Sequence, residues 1–353
     1  MSQFMNPRLD ALAAYVPGEQ PKDMAYIKLN TNEAAYPPAP SVCETIKAED
    51  VAQLRLYSDP TGSALKQKLA HLYGVKPENI FLSNGSDEIL NFAFMAFAHG
   101  GAAFPDISYG FYKVYADLYG IEYDQIPLKD DFSLDFQDYC GQNRMVVIAN
   151  PNAPTGLSIP VWQIEEMLKS NPDHVVVIDE AYVDFGGESC YPLIKKYDNL
   201  LVVQTFSKSR SMAGARLGFA VGCKALIQDL NTIKYSANPY NVNRVTMAAG
   251  LGALEDDDYF RENCAAIMEN RAFFTENLEG LGFTVIPSKT NFVFAKHPGM
   301  GGKALYQKLR AWGILVRHFD TERLRDYLRI TIGSREQMVA CADALTKILE
   351  ETL

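Results

Sequence analysis

Seven short apolar runs, most of them separated by longer amphipathic stretches, narrow the folds open to this chain. They lie at residues 79–83, 101–105, 121–127, 145–149, 175–179, 200–205 and 217–221. Between them are segments with a helical apolar repeat, 87–98 and 161–170 among them. Runs that are apolar throughout belong to strands covered on both faces, and strands that alternate with helices are joined by crossovers. The pattern predicts an α/β fold with a mostly parallel seven-stranded sheet. Ligands of such sheets bind outside the carboxyl ends of the strands, so the loops that follow each run are where chemistry is expected.

The flanking segments follow other rules. Residues 1–35 carry Pro17, Gly18 and Pro21 without steady periodicity and read as an extended arm, closed by the turn Tyr36-Pro37-Pro38-Ala39-Pro40. Beyond residue 245 a helical region, 245–281, precedes strand-like runs at 283–287, 291–295, 314–317 and 327–332 and a closing helix at 338–353. Helices followed by strands indicate a smaller α+β C-terminal domain. The expected division is an N-terminal arm (1–35), a large domain (36–245) and a small domain (246–353). The formal net charge of -10 argues against nucleic acid or an anionic membrane as partner. The six cysteines are scattered without a CxxC pair and the five histidines form no HxxxH pair, so no metal site is expected. The N-terminus shows no basic segment followed by an apolar one, and no apolar stretch is long enough to span a bilayer; a cytoplasmic location is expected.

Four loops carry the chemistry. Ser83-Asn84-Gly85-Ser86-Asp87-Glu88 leaves a strand and opens a helix. Glycine admits close backbone approach, and the free amides of a helix start favour an anion; singly, the segment reads as a helix capped by Ser86 or Asp87. Asn150-Pro151-Asn152-Ala153-Pro154-Thr155-Gly156 reads by itself as a turn. Val175-Val176-Val177-Ile178-Asp179-Glu180-Ala181-Tyr182 delivers Asp179 to the end of an apolar run, where a carboxylate is costly without a cation or donor. A protonated heterocycle nitrogen would satisfy it, and Tyr182 would reach the same ligand; a helix-capping aspartate is the plainer reading. Thr205-Phe206-Ser207-Lys208-Ser209, followed by Gly214-Ala215-Arg216-Leu217-Gly218, sets a lysine between hydroxyls with an arginine eight positions on. A buried lysine keeps more of the free amine that attacks an aldehyde, and hydroxyls with a guanidinium suit a phosphate; a solvated lysine is the plainer reading. Together the loops place a phosphate cradle, a carboxylate, a phenol and a lysine at strand ends of one domain, a combination that structural needs alone do not explain.

On these loops, and on Leu29-Asn30-Thr31-Asn32-Glu33 and Leu328-Arg329-Ile330-Thr331-Ile332-Gly333, nearly the whole chain resembles the fold-type I pyridoxal 5'-phosphate (PLP)-dependent aminotransferases, and within them the histidinol-phosphate aminotransferase group. The resemblance implies that Lys208 carries PLP and shuttles a proton, that Asp179 keeps the pyridine nitrogen protonated, and that Tyr182 bonds the 3′-oxygen. It implies that Tyr109 stacks on the ring and that Ser86, Asp87, Thr205, Ser207 and Arg216 surround the phosphate. Tyr57 would reach the phosphate of a neighbouring subunit, which requires a homodimer with shared active sites. The family usually has asparagine before Pro-Thr-Gly, where this chain has Ala153; Asn152 is the expected substitute. Arg317 and Arg329, whose planar forks suit carboxylate or phosphate, are the expected substrate anchors, with Tyr15 and Asn241 beside them by resemblance. The implied reaction is transamination of L-histidinol phosphate with 2-oxoglutarate, giving imidazole-acetol phosphate and L-glutamate in histidine biosynthesis. The alternatives are a lyase resembling threonine-phosphate decarboxylase, another amino-acid aminotransferase, and a PLP-binding regulator without activity.

Overall fold

The computed structural model describes residues 5, 6, 9, 12–48 and 51–351. After a two-residue strand in the arm, β1 (Ile27–Lys28), all seven apolar runs contain strands: β2 (Ile80–Ser83), β3 (Ala102–Pro105), β4 (Tyr123–Ile126), β5 (Met145–Ala149), β6 (Val176–Asp179), β7 (Leu200–Thr205) and β8 (Gly218–Gly222). They form one sheet in the order β2-β8-β7-β6-β5-β3-β4. Only β8 runs antiparallel to its neighbours. Every residue of six strands is buried. Alternate residues feed two cores: Val146, Ile148, Val176, Ile178 and Val202 face one layer of helices, and Met145, Val147, Val177, Leu201 and Val203 the other. β4 departs from the uniformly apolar expectation. It is the edge strand, its residues Tyr123, Asp124, Gln125 and Ile126 are all at least partly exposed, and Asp124 pairs with Arg144 at 2.8 Å.

The C-terminal part has its own core and sheet. β9 (Thr284–Ile286), β10 (Phe292–Lys296), β12 (Arg317–His318) and β13 (Tyr327–Thr331) pair antiparallel in the order β12-β13-β10-β9, while β11 (Ile314–Leu315) pairs in parallel with β1 of the arm. Leu29 of the arm is buried in this core beside Ile314, Val316 and Ile330. The closing helix starts at Arg335, where Ser334 and Gln337 form a capping box.

The expected helical region 245–281 is two helices, Arg244–Ala253 and Asp257–Gly280, and the second is capped by the Asp256 side chain accepting from the Tyr259 amide. The first packs against the helix Pro40–Ala48, and its Ala249 and Ala253 join the core of the large sheet. Its small residues allow this, because a Cβ at Gly252 would come within 2.7 Å of the Ser41 carbonyl oxygen. We therefore propose that the large domain ends near residues 254–256 instead of 245, and that the arm belongs structurally with the small domain.

Two features tie the domains across a cleft. Ile107, Leu128 and Phe132 pack with Phe294, Leu324 and Tyr327. Arg323 reaches back to pair with Asp106 at 3.1 Å and to donate to the Leu128 and Lys129 carbonyls at 2.9 and 2.6 Å. Among the described residues no helix is long and apolar enough to cross a membrane, and no group of three metal-binding side chains converges.

Gly218 is a tight backbone junction beneath the cleft: a Cβ there would lie 2.6 Å from both the Gly85 carbonyl carbon and the Ser86 nitrogen. Backbone cannot yield as a side chain does, so Gly218→Ala is expected to cost roughly 1–3 kcal/mol in urea unfolding. A variant as stable as the parent would show that the two loops separate freely.

Candidate active site

Two adjoining cavities open at the carboxyl ends of the central strands. The inner one, about 200 Å³, is lined by Ser86, Asp87, Tyr109, Asp179, Tyr182, Thr205, Ser207, Lys208 and Arg216 together with Thr31, Glu33 and Ala153. The outer one, about 700 Å³, shares Thr31, Tyr109, Ala153, Tyr182 and Lys208 with it and adds Tyr15, Arg317, Arg323 and Arg329. Four loops far apart in sequence thus meet around Lys208.

Asp179 ends β6 and is buried. One carboxylate oxygen accepts from the Tyr112 hydroxyl at 2.9 Å and the other from the Ala181 amide at 3.1 Å. Burial pushes its pKa up from 3.8 to about 6, although both hydrogen bonds and the Lys208 charge pull it down. It belongs to none of the ion pairs among the described residues. A buried carboxylate with neutral donors only is set to receive a cation. Lys208 Nζ lies 3.4 Å from the Thr31 carbonyl oxygen and 5.8 Å from the Tyr182 ring centroid.

The opposite end of the inner cavity suits an anion. The helix Ser86–Phe97 begins at Gly85, with φ +81° and no capping side chain, so its first amides lack intrahelical partners. A Cβ on Gly85 would lie 2.5 Å from Arg216 Nη2, so glycine is what lets the guanidinium lie against this helix start. Arg216 is itself left-handed (φ +57°), a costly conformation for a non-glycine, and bridges to Asp87 at 2.9 Å. The Thr205 hydroxyl donates to Ser207 Oγ at 2.9 Å on the same wall. Tyr109 donates to Asp87 at 2.7 Å, with its phenol pushed well up by burial and by the Asp87 charge.

The outer cavity holds two arginines directly opposite each other on β12 and β13, Arg317 and Arg329. Like charges in that register repel, and an anion between them would remove the penalty. Arg329 donates to the Asn30 carbonyl at 3.1 Å, its Nε has no partner, and burial lowers its pKa. Arg317 donates to the Val16 and Pro17 carbonyls of the arm. Phe319 sits 5.5 and 5.6 Å from the two guanidinium carbons.

Three expected site residues lie elsewhere. Asn152 lines neither cavity. Its Nδ2 donates to the Ile107 carbonyl and Thr155 Oγ1, both at 3.0 Å, and its Oδ1 accepts from Ser108 at 2.8 Å, so the amide is spent on holding its own loop. It faces a separate cavity of about 240 Å³. Asn241 is buried away from both cavities because its amide is bonded to Glu88 at 2.5 Å. Tyr57 is 77 % exposed and stacked on Tyr240, with ring centroids 4.2 Å apart. Conversely, Tyr112 and Asn32 contact Asp179 and Tyr182; Asn32 lies inside the segment Leu29–Glu33, and no local sequence pattern distinguishes either residue.

Residues 25–345 match the family described as aminotransferase class I and II, and the chain belongs to that family. It is 48% identical over 353 residues, 99% of this chain and 100% of the relative, to a histidinol-phosphate aminotransferase of Brachyspira hyodysenteriae. It is 49% identical, with 98% of each chain covered, to one of Syntrophus aciditrophicus. The crystal structure of histidinol-phosphate aminotransferase from Sinorhizobium meliloti in complex with pyridoxal-5'-phosphate superimposes with a TM-score of 0.90 at 25% identity, covering 100% of this chain and 99% of that one. The central sheet and smaller antiparallel sheet are those of a fold-type I PLP aminotransferase.

The Asp179 shift has a consequence for the cofactor-free protein. The unfolded carboxyl ionises near 3.8 and the folded one near 6, so between these values the folded state holds more proton and loses stability as pH rises. Above pH 6 the penalty is constant. Asp179→Asn in cofactor-free protein is expected to gain roughly 1–3 kcal/mol at pH 8 and almost nothing at pH 4, read by urea unfolding. An equal loss at both pH values would contradict an unpaired buried charge.

Proposed function

We propose that this chain transfers the amino group of L-histidinol phosphate to 2-oxoglutarate with PLP as cofactor, giving imidazole-acetol phosphate and L-glutamate, a step of histidine biosynthesis. The observation that carries the proposal is that Lys208 sits at the junction of an inner cavity with a carboxylate at one end and an anion cradle at the other, and an outer cavity walled by two arginines. The inner cavity matches a phosphorylated pyridine. Asp179 would face the ring nitrogen, Tyr182 the 3′-oxygen and Tyr109 the ring face, with Ser86, Asp87, Thr205, Ser207 and Arg216 at the phosphate. When bound, PLP supplies an aldehyde and an electron-poor ring that disperses charge from the substrate.

The protein's part is attachment, orientation and proton movement. Lys208 is the residue that would hold the aldehyde between turnovers; once displaced by the substrate, its amine takes the proton from the substrate α-carbon. Asp179 is poised to pair with a protonated nitrogen, because its charge is already formed and lacks a cation. Arg317 and Arg329 would receive the phosphate of the amine in one half-reaction and a carboxylate of the keto acid in the other. Tyr15, packed 4.4 Å from Phe111, closes the outer cavity from the arm.

Tyr57 belongs to the proposal through a second copy of the chain. It projects beside exposed Val51, Leu54 and Leu56, an apolar strip suited to a partner. A homodimer would bring Tyr57 to the partner's cradle. A cytoplasmic location fits the same reading, and neither nucleic acid nor membrane enters it.

Incubation with L-histidinol phosphate and 2-oxoglutarate is expected to produce glutamate. Lys208→Ala should lower the rate by at least about a thousandfold. Release of carbon dioxide from an amino-acid phosphate without any keto acid would instead identify a lyase. Arg329→Lys, which keeps the charge and loses the fork, should raise the KM for the phosphorylated amine by about tenfold or more; an unchanged KM would remove Arg329 from substrate binding.

A further inference from the structure

The Tyr182 hydroxyl stands at the end of a directional hydrogen-bond chain. The Asn32 backbone amide donates to Thr331 Oγ1 at 3.0 Å. The Thr331 hydroxyl in turn donates to Asn32 Oδ1 at 3.0 Å. That leaves Asn32 Nδ2 to donate, and it meets the Tyr182 hydroxyl oxygen at 3.0 Å. A phenol that accepts a hydrogen bond on its oxygen keeps its own proton for another partner. The open side of Tyr182 is the two cavities it lines.

The conformation of Asn32 is held for this purpose. It is 1% exposed and left-handed (φ +54°), and its carbonyl accepts from Asn291 Nδ2 at 3.1 Å. Asparagine is among the few residues that tolerate this backbone. Asn32 lies in the arm and Thr331 in β13 of the small domain, so the bond to Tyr182 crosses from one domain to the other. Ala153, on the same wall of the inner cavity, contributes a methyl group and no donor.

We propose that Asn32 and Thr331 are positioning residues that fix the polarity of the Tyr182 hydroxyl, directing its proton into the cofactor cavity. The inference rests on the PLP reading given above. A proton aimed at the cofactor's 3′-oxygen stabilises the negative charge there and disfavours protonation of the nitrogen attached to Lys208. The polarity of a bond between residues 150 positions apart thus sets the pH at which the resting cofactor titrates. The charged groups around Tyr182 in the two cavities are Lys208, Asp179, Glu33, Asp87, Arg216, Arg317 and Arg329, with Asp106, Glu322 and Arg323 further out in the larger one, and all are unchanged in the variants below.

The test is a pH titration of the visible absorbance of PLP-loaded protein. Asn32→Asp keeps the left-handed backbone and replaces the donor with an acceptor, so Tyr182 turns its proton away from the cavity. The titration midpoint is expected to rise by about one unit. Much of that rise is expected to vanish in a Tyr182→Phe background, because the added charge alone remains there. Asn32→Gly, which also accepts the backbone and adds no charge, is expected to give a smaller rise that disappears with Tyr182→Phe; it serves if the aspartate variant does not fold. An unchanged midpoint, or the same rise with and without Tyr182, would overturn the proposal. Absence of PLP absorbance from the unmodified protein would instead overturn the cofactor reading.

Discussion

The site depends on one electrostatic debt, the buried carboxylate of Asp179. β6 must be apolar to lie in the middle of a doubly covered sheet, and it ends on a charge with a hydroxyl and an amide for partners. Such a group raises its own pKa and waits for a cation. The same cavity is also lined by a helix start, two hydroxyls and Arg216, whose guanidinium is paired with Asp87 and still offers donors to an anion. A ligand that is cationic at one end and anionic at the other satisfies both, and a phosphorylated pyridine is such a ligand. Folding the sheet therefore creates the specificity for the cofactor before any substrate is considered.

The small domain adds the second requirement. Its two opposed arginines carry like charges into the outer cavity, and Phe319 lies against both. Its position over Lys208 is set by contacts that cross the cleft: Arg323 with Asp106, the cluster around Phe132 and Phe294, and the arm strand pairing with β11. The arm thus does more than cover the surface. It carries Leu29 into the small-domain core, Thr31 to Lys208 and Asn32 to Tyr182.

Much of this was legible in the sequence because burial on both faces leaves a compositional trace. The central strands stood out as apolar runs, and the loops after them delivered Ser86, Asp87, Tyr109, Asp179, Tyr182, Thr205, Ser207, Lys208 and Arg216 to one cavity. The edge strand was less legible, because its edge position leaves the consecutive polar residues Asp124 and Gln125 both exposed and so breaks the apolar run. The break at residues 254–256 was obscured by good helix formers on both sides, although Asp256 is a recognisable cap. Asn152 was misplaced because residue type says nothing about which way a loop turns an amide. Tyr112 to Asp179 and Asn32 to Tyr182 are bonds across 67 and 150 residues; tertiary pairing of that kind has no local signature.

In the proposed reaction Lys208 and its surroundings run an amino transfer in two separable halves. The most direct test is a single-turnover measurement on PLP-loaded protein. With L-histidinol phosphate alone, the aldehyde form of the cofactor should disappear with one equivalent of imidazole-acetol phosphate formed per site, and 2-oxoglutarate added afterwards should restore it. Persistence of the aldehyde form with this amine, in protein whose cofactor otherwise responds to amines, would contradict the account.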